Sequence, residues 1–271
     1  MNAYIECCQR YVGLQKTALI WEGKNGESEQ WSFEQLDVAS AQLANYFKSI
    51  GIQVGDCIAG LLPRTPELLI TILATWRIGA IYQPLFTAFE SKAIEHRVLT
   101  ANTKLIVTNA EQRPKLNHVE VKHILTVNAG TNLASNEADF WQEAKQQSDQ
   151  CEAVLRSFDD DFLMMFTSGT TGLAKSVPVP LKAVLAFKGY MQHAVDLRED
   201  DSFWNLADPG WAYGLYYGII GPLSLGHSII MDERAFSVDH AVEVIKKYRV
   251  SNLTGSPTVF RMFFGFKEKF D

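Results

Sequence analysis

Thr167, Ser168, Gly169, Thr170, Thr171, Gly172 and Lys175 lie close together directly behind an apolar run, and nearly every group they offer is a hydrogen-bond donor or a positive charge. Glycine lets backbone amides approach an anion, serine and threonine hydroxyls can donate to it, and lysine adds a mobile cation. That set suits a polyphosphate. One hydrogen bond to a charged group is worth about 1.5–3 kcal/mol, so several converging on a polyphosphate outweigh the cost of ordering a short loop. An ordinary Ser/Thr/Gly surface loop with a solvated lysine has the same composition, so composition alone does not decide. The glycines do not fall in the GxxxxGK[ST] frame, which argues against a Walker-type nucleotidase. A glycine-rich loop whose donors point at nothing is expected to be mobile without ligand.

The elements that must position this loop alternate along the chain. Strands are expected at 17–21, 57–62, 81–83, 104–108, 123–127, 162–166, 202–206, 228–231 and 252–254. Helices are expected at 33–50, 66–79, 90–100, 140–147, 181–195, 213–225 and 237–248, with a last one opened by Ser256 and Pro257. Ser32 and Gln35 form a capping box and Gly51 stops that helix, while Thr65 and Pro66 open one so apolar that it must be buried. This rhythm predicts an α/β fold of stacked doubly wound sheets flanked by helices. It divides into approximate units 1–150 and 151–271, with the polar stretch 128–150 bridging two layers.

The 271 residues are 47% hydrophobic and 11% aromatic, enough for a core that buries roughly three quarters of the unfolded surface. A net charge of −6 with scattered basic residues excludes a nucleic-acid-binding surface, although backbone amides can still hold small anions. The N-terminus MNAYIECCQR has no basic stretch followed by an apolar run, and no membrane-length apolar segment follows, so no membrane span and a cytoplasmic location are expected. Cys7, Cys8, Cys57 and Cys151 lack CxxC spacing and read as reduced and structural. The histidines show no HExxH pair and no Cys/His cluster, so no protein-held transition metal is expected. Magnesium would arrive on a nucleotide's phosphates.

FTSGTTGLAK resembles the signature of the AMP-forming adenylate superfamily, an aromatic-Thr-Ser-Gly-Thr-Thr-Gly-x-Pro-Lys stretch, departing from it only at Ala174, where proline is usual. Ala174 adds backbone freedom and removes no phosphate donor. The likeness continues through WSFEQL, RIGAIYQPLFTAF, DPGWAYGLYYGIIGPLSLG and TGSPTVFRM, and is strongest to the acetyl-CoA synthetase branch. It implies that Trp211, Ala212 and Tyr213 line the pocket for the acid's tail, with Tyr216, Tyr217, Ile219 and Ile220 read as helix core. It also implies that coenzyme A approaches segment 86–89, although Thr87 and Ala88 replace common glycines, and that Arg113 and Lys115 meet its 3′-phosphate. Two exposed cations can equally be a solvated face.

The resemblance further implies two half-reactions using ATP, a carboxylic acid and coenzyme A. The carboxylate attacks the α-phosphorus to give acyl-AMP and pyrophosphate, and the thiol then displaces AMP. Lys175 would be the catalytic cation of the first step. A small residue at Ala212 implies a short- or medium-chain acid. The family's later motifs, including a ribose-binding aspartate and a C-terminal domain with the adenylation lysine, are not found within 1–271, so these residues are expected to be a truncated N-terminal, AMP-binding part that is inactive alone. An adenylating module with a non-CoA acceptor and a folded domain without activity are the alternatives.

Overall fold

Ser32 accepts from the Gln35 amide while the Gln35 side chain accepts from the Ser32 amide, and this closed capping box starts helix Phe33–Ser49 one residue after a strand ends. The computed structural model describes residues 1–131, 133–167 and 173–265. Along the chain these residues form α1 (Ala3–Cys7), β1 (Thr17–Glu22), β2 (Ser28–Ser32), α2 (Phe33–Ser49), β3 (Cys57–Leu61), α3 (Pro66–Arg77), β4 (Ile81–Pro84), α4 (Ser91–Thr100), β5 (Leu105–Asn109) and β6 (His123–Val127). There follow β7 (Glu137–Asp139), α5 (Phe140–Lys145), β8 (Asp161–Thr167), β9 (Lys175–Pro180), α6 (Ala183–His193) and β10 (Phe203–Asn205). Helices α7 (Ala212–Leu215) and α8 (Gly221–Ser224) are joined by a π turn at Tyr216–Ile220. The rest is β11 (Ile229–Asp232), α9 (Val238–Tyr248), β12 (Asn252–Thr254) and α10 (Pro257–Phe264).

The largest sheet has the order β7-β6-β5-β3-β4-β8-β9. It is parallel from β7 to β8, and β9 returns antiparallel beside β8. A second sheet has the order β11-β1-β2, and β10 pairs with β12 in parallel. Helix α3 is buried on every face except at Glu67, as its largely apolar sequence predicts. The main core joins residues of α2 and α3 to side chains of both larger sheets, among them Leu19, Ile58, Leu163 and Met231. The fold is therefore the expected α/β arrangement of sheets flanked by helices.

One charge sits deep in it. Arg77, at the end of α3, pairs with Asp37 at 2.9 Å, donates to the Cys151 carbonyl at 2.5 Å and lies over the Tyr4 ring. These contacts tie the crossover segment around Cys151 to α2 and α3. All four cysteines are free and buried, as structural thiols would be. Among the described residues no helix is long and apolar enough to cross a membrane.

Two differences from the sequence reading have clear causes. Strand β9 was not expected, because Pro178 and Pro180 break a strand pattern. It lies at the sheet edge, where a proline's missing N–H costs no ladder hydrogen bond. Strand β2 is polar and largely exposed, so it lacks the apolar alternation that reveals a strand.

Candidate active site

Parallel strands that share one direction bring their carboxyl ends to one edge, and the loops that leave those ends gather there. Strand β8 ends at Thr167, opposite Lys175 in the register with antiparallel β9, so two paired strands flank the predicted phosphate loop. Thr167 and Lys175 are both exposed. Ser168, Gly169, Thr170, Thr171 and Gly172, with the expectation about their mobility, lie outside the described residues. On the β9 side of the loop, His96 Nε2 donates to the Ala174 carbonyl at 2.8 Å.

The neighbouring strand β4 runs into segment 86–89, whose start is fixed by the Leu85 amide donating to the Gly60 carbonyl at 2.9 Å. Phe86 and Phe89 meet edge to face at 5.7 Å, and Trp211 packs on both, at 5.5 and 5.6 Å. Trp211 is nevertheless 47% exposed, which leaves part of its indole open to a ligand. The approach depends on Gly210, because a Cβ there would lie 2.7 Å from Phe86 Cα. Asp208 shapes the same turn: its Oδ1 accepts from the Gly210 amide at 2.7 Å and its carbonyl from the Trp211 amide at 3.0 Å. Burial pushes the Asp208 carboxyl above its usual range, against the lowering effects of the Gly210 amide and the more distant Arg64. Gly214 is required too, since a Cβ would strike the Asp208 carbonyl oxygen.

Trp211 is the N-cap of α7, so Ala212 and Tyr213 start that helix, the first exposed and the second half-buried. Tyr213 meets Tyr217 edge to face at 5.3 Å; Tyr217 in turn stacks on Tyr190 at 4.0 Å, and Tyr216 stacks on Phe187 at 4.3 Å. Ile219 and Ile220 are core, whereas Tyr216 and Tyr217 are only partly buried. The sequence predicted one continuous helix here; the π turn widens it at the tyrosines, and such turns recur at functional sites.

Arg113 and Lys115 sit together on the short 3-10 turn that follows β5. Arg113 Nε pairs with Glu137 at 3.0 Å and its Nη1 donates to Asn117, while Lys115 Nζ donates to the Thr87 carbonyl of segment 86–89. Hydrogen bonds from Thr126 and Arg113 outweigh the effect of burial and hold the Glu137 carboxyl below its usual range. Sequence reasoning missed His96 and Arg97. The Arg97 guanidinium lies 4.1 Å from the centre of the Phe89 ring and 5.6 Å from that of Phe166, so α4 joins two of the predicted segments. The only signal was their place just after segment 86–89. Among the described residues, no group of three or more His, Cys, Asp or Glu could hold a metal ion.

The family model described as AMP-binding enzyme matches residues 7–271. The chain belongs to that family. It is 32% identical to the acetyl-coenzyme A synthetase of Deinococcus radiodurans over 297 aligned positions, covering 97% of this chain and 44% of that protein. It is 30% identical to the Bacillus subtilis acetyl-coenzyme A synthetase, covering 98% of this chain and 47% of that one. A crystal structure of an acyl-CoA synthetase from Brucella canis superposes with a TM-score of 0.96 at 48% identity, over 99% of this chain and 50% of that one. The AMP-binding chain thus spans about half the length of these relatives.

Proposed function

We propose that the chain carries the polyphosphate- and acid-binding part of an AMP-forming acyl-coenzyme A synthetase acting on a short- or medium-chain carboxylic acid in the cytoplasm. The observation that carries this reading is the packing of Trp211 on Phe86 and Phe89, which sets the predicted acid segment against the predicted coenzyme A segment. The names of the relatives support the same chemistry.

In this reading Thr167, Ser168, Gly169, Thr170, Thr171, Gly172 and Lys175 hold the β- and γ-phosphates of ATP, whose own oxygens carry the magnesium. Lys175 stabilises the departing pyrophosphate while the acid's carboxylate attacks the α-phosphorus, a positioning and electrostatic role without covalent catalysis. Trp211, Ala212 and Tyr213 border the acid's tail. Arg113 and Lys115 receive the 3′-phosphate of coenzyme A. A guanidinium has five N–H donors and an ammonium three, so the bonds to Glu137, Asn117 and Thr87 leave donors for a phosphate.

The test uses the chain extended to the length of its relatives. Acid-dependent exchange of labelled pyrophosphate into ATP measures adenylation, and thioester formation measures transfer to coenzyme A. Both should be seen with acids between acetate and octanoate. Exchange without thioester would point to a different acceptor, and no exchange with any of these acids would end the proposal.

A further inference from the structure

Helix α4 holds both flanks of the loop between β8 and β9 through two consecutive residues. On the β9 flank, half-buried His96 donates from Nε2 to the Ala174 carbonyl at 2.8 Å. On the β8 flank, Arg97 lies over Phe166, the residue before Thr167, while also covering Phe89. The helix is a firm support. Buried Gln83 of β4 donates to the Arg97 carbonyl at 3.1 Å, and Ile94 and Val98 are fully buried against Ala59, Leu85 and Ile106. Ala174 has more backbone freedom than a proline would, and its carbonyl is the group that His96 restrains.

We infer that His96 is a positioning residue for the phosphate loop: by fixing the Ala174 carbonyl it sets the direction in which Lys175 enters β9 and points its side chain. Because a carbonyl only accepts, the ring must carry its proton on Nε2 for this contact. The carbonyl of one residue and the amide of the next share a peptide plane, so a bond to Ala174 also orients the Lys175 amide. The inference rests on the reading of this loop as a polyphosphate site.

The experiment titrates the 271-residue chain with magnesium pyrophosphate by calorimetry and follows amide hydrogen exchange over 175–179. It compares the wild type with His96→Ala and His96→Gln. Losing one hydrogen bond of ordinary strength corresponds to a two- to tenfold change, so His96→Ala should bind roughly two- to tenfold more weakly and exchange faster by a similar factor. His96→Gln, which keeps a donor N–H at similar reach, should recover most of both. A purely packing role would be left unrepaired by glutamine, so a glutamine variant as impaired as alanine overturns the inference. Affinity and exchange unchanged in His96→Ala overturn it as well. A wild-type chain that binds no pyrophosphate removes the polyphosphate reading, and the exchange comparison then decides on its own whether His96 restrains the flank.

Discussion

Replacing Gly210 by alanine tests the contact on which the candidate site depends. The added methyl would stand 2.7 Å from Phe86 Cα and 3.0 Å from both Phe86 Cβ and Asp208 Oδ1, well inside van der Waals contact. Two of those three atoms are backbone or attached directly to it, so a rotamer change cannot relieve them, and the two segments must part by several tenths of an ångström. Overpacking of this kind costs about 1–3 kcal/mol. For a chain of this size that lowers the melting temperature by roughly 2–10 °C. As the turn shifts, Trp211 should lose contact with Phe86 and Phe89, which a tryptophan-quenching measurement against a Trp211→Phe control would isolate. Shortening the ring should not help, because the clash is with the main chain: Gly210→Ala combined with Phe86→Leu should be at least as destabilised as Gly210→Ala alone. Rescue by Phe86→Leu, or a melting temperature unchanged within a degree, would refute the reasoning.

Other expectations follow from named contacts. In the extended chain, Lys175→Ala should slow pyrophosphate exchange by about 10- to 1000-fold and leave thioester formation from supplied acyl-AMP nearly unchanged, whereas equal loss in both would make the lysine structural. Ala212→Leu should lower the ratio of kcat/KM for hexanoate to that for acetate by roughly 5- to 150-fold, and an unchanged ratio would remove Ala212 from the acid's path. Glu22 is buried, yet hydrogen bonds from Lys247 and Tyr248 outweigh burial and hold its carboxyl below the usual range. A lowered carboxylate stabilises the fold above its ordinary pKa of 4.5 and loses that contribution as the pH falls below it. Lys247→Met, at a half-exposed lysine, should therefore cost about 1 kcal/mol at pH 7 and progressively less as the pH falls below 4.5, measured by urea denaturation, and a pH-independent loss would count against the pairing.

The sequence made the alternation of strands and helices legible because apolar periodicity and capping chemistry are local, as Ser32, Gln35 and the largely apolar α3 show. It hid the elements whose stability comes from their neighbours. Strand β9 exists because β8 offers it an edge that tolerates Pro178 and Pro180, and β2 because β1 pairs with it. Short helix α1 is held by Asn2, whose side chain accepts from the Tyr4 amide and donates to the carbonyls of Trp76 and Val154, far along the chain. The chemistry-bearing segments could each be picked out by composition or resemblance. Their contacts could not, since nothing local in the sequence says that Gly210 must be bare because Phe86 lies against it.

The same limit explains why the roles of His96 and Arg97 went unnoticed although helix α4 itself was expected, and why they matter. His96 and Arg97 carry no motif, and a histidine followed by an arginine on a mixed helix reads as solvated surface. Their significance comes from sheet order. Strands β4 and β8 are adjacent although residues 85–160 separate them, so the helix that leaves β4 arrives beside the end of β8. From there Arg97 reaches Phe89 and Phe166, and Phe89 reaches Trp211, which makes a continuous set of contacts from the flank of the predicted phosphate loop to the start of α7. Side chains in direct contact pass a displacement from one to the next, so a change at either end of that set should be felt at the other. In an enzyme of the kind proposed, the acid must lie in line with the α-phosphorus, and a packed link from Trp211 to Phe166 keeps the acid segment and the phosphate loop in one frame. Loosening it should slow adenylation more than it weakens the binding of either substrate alone.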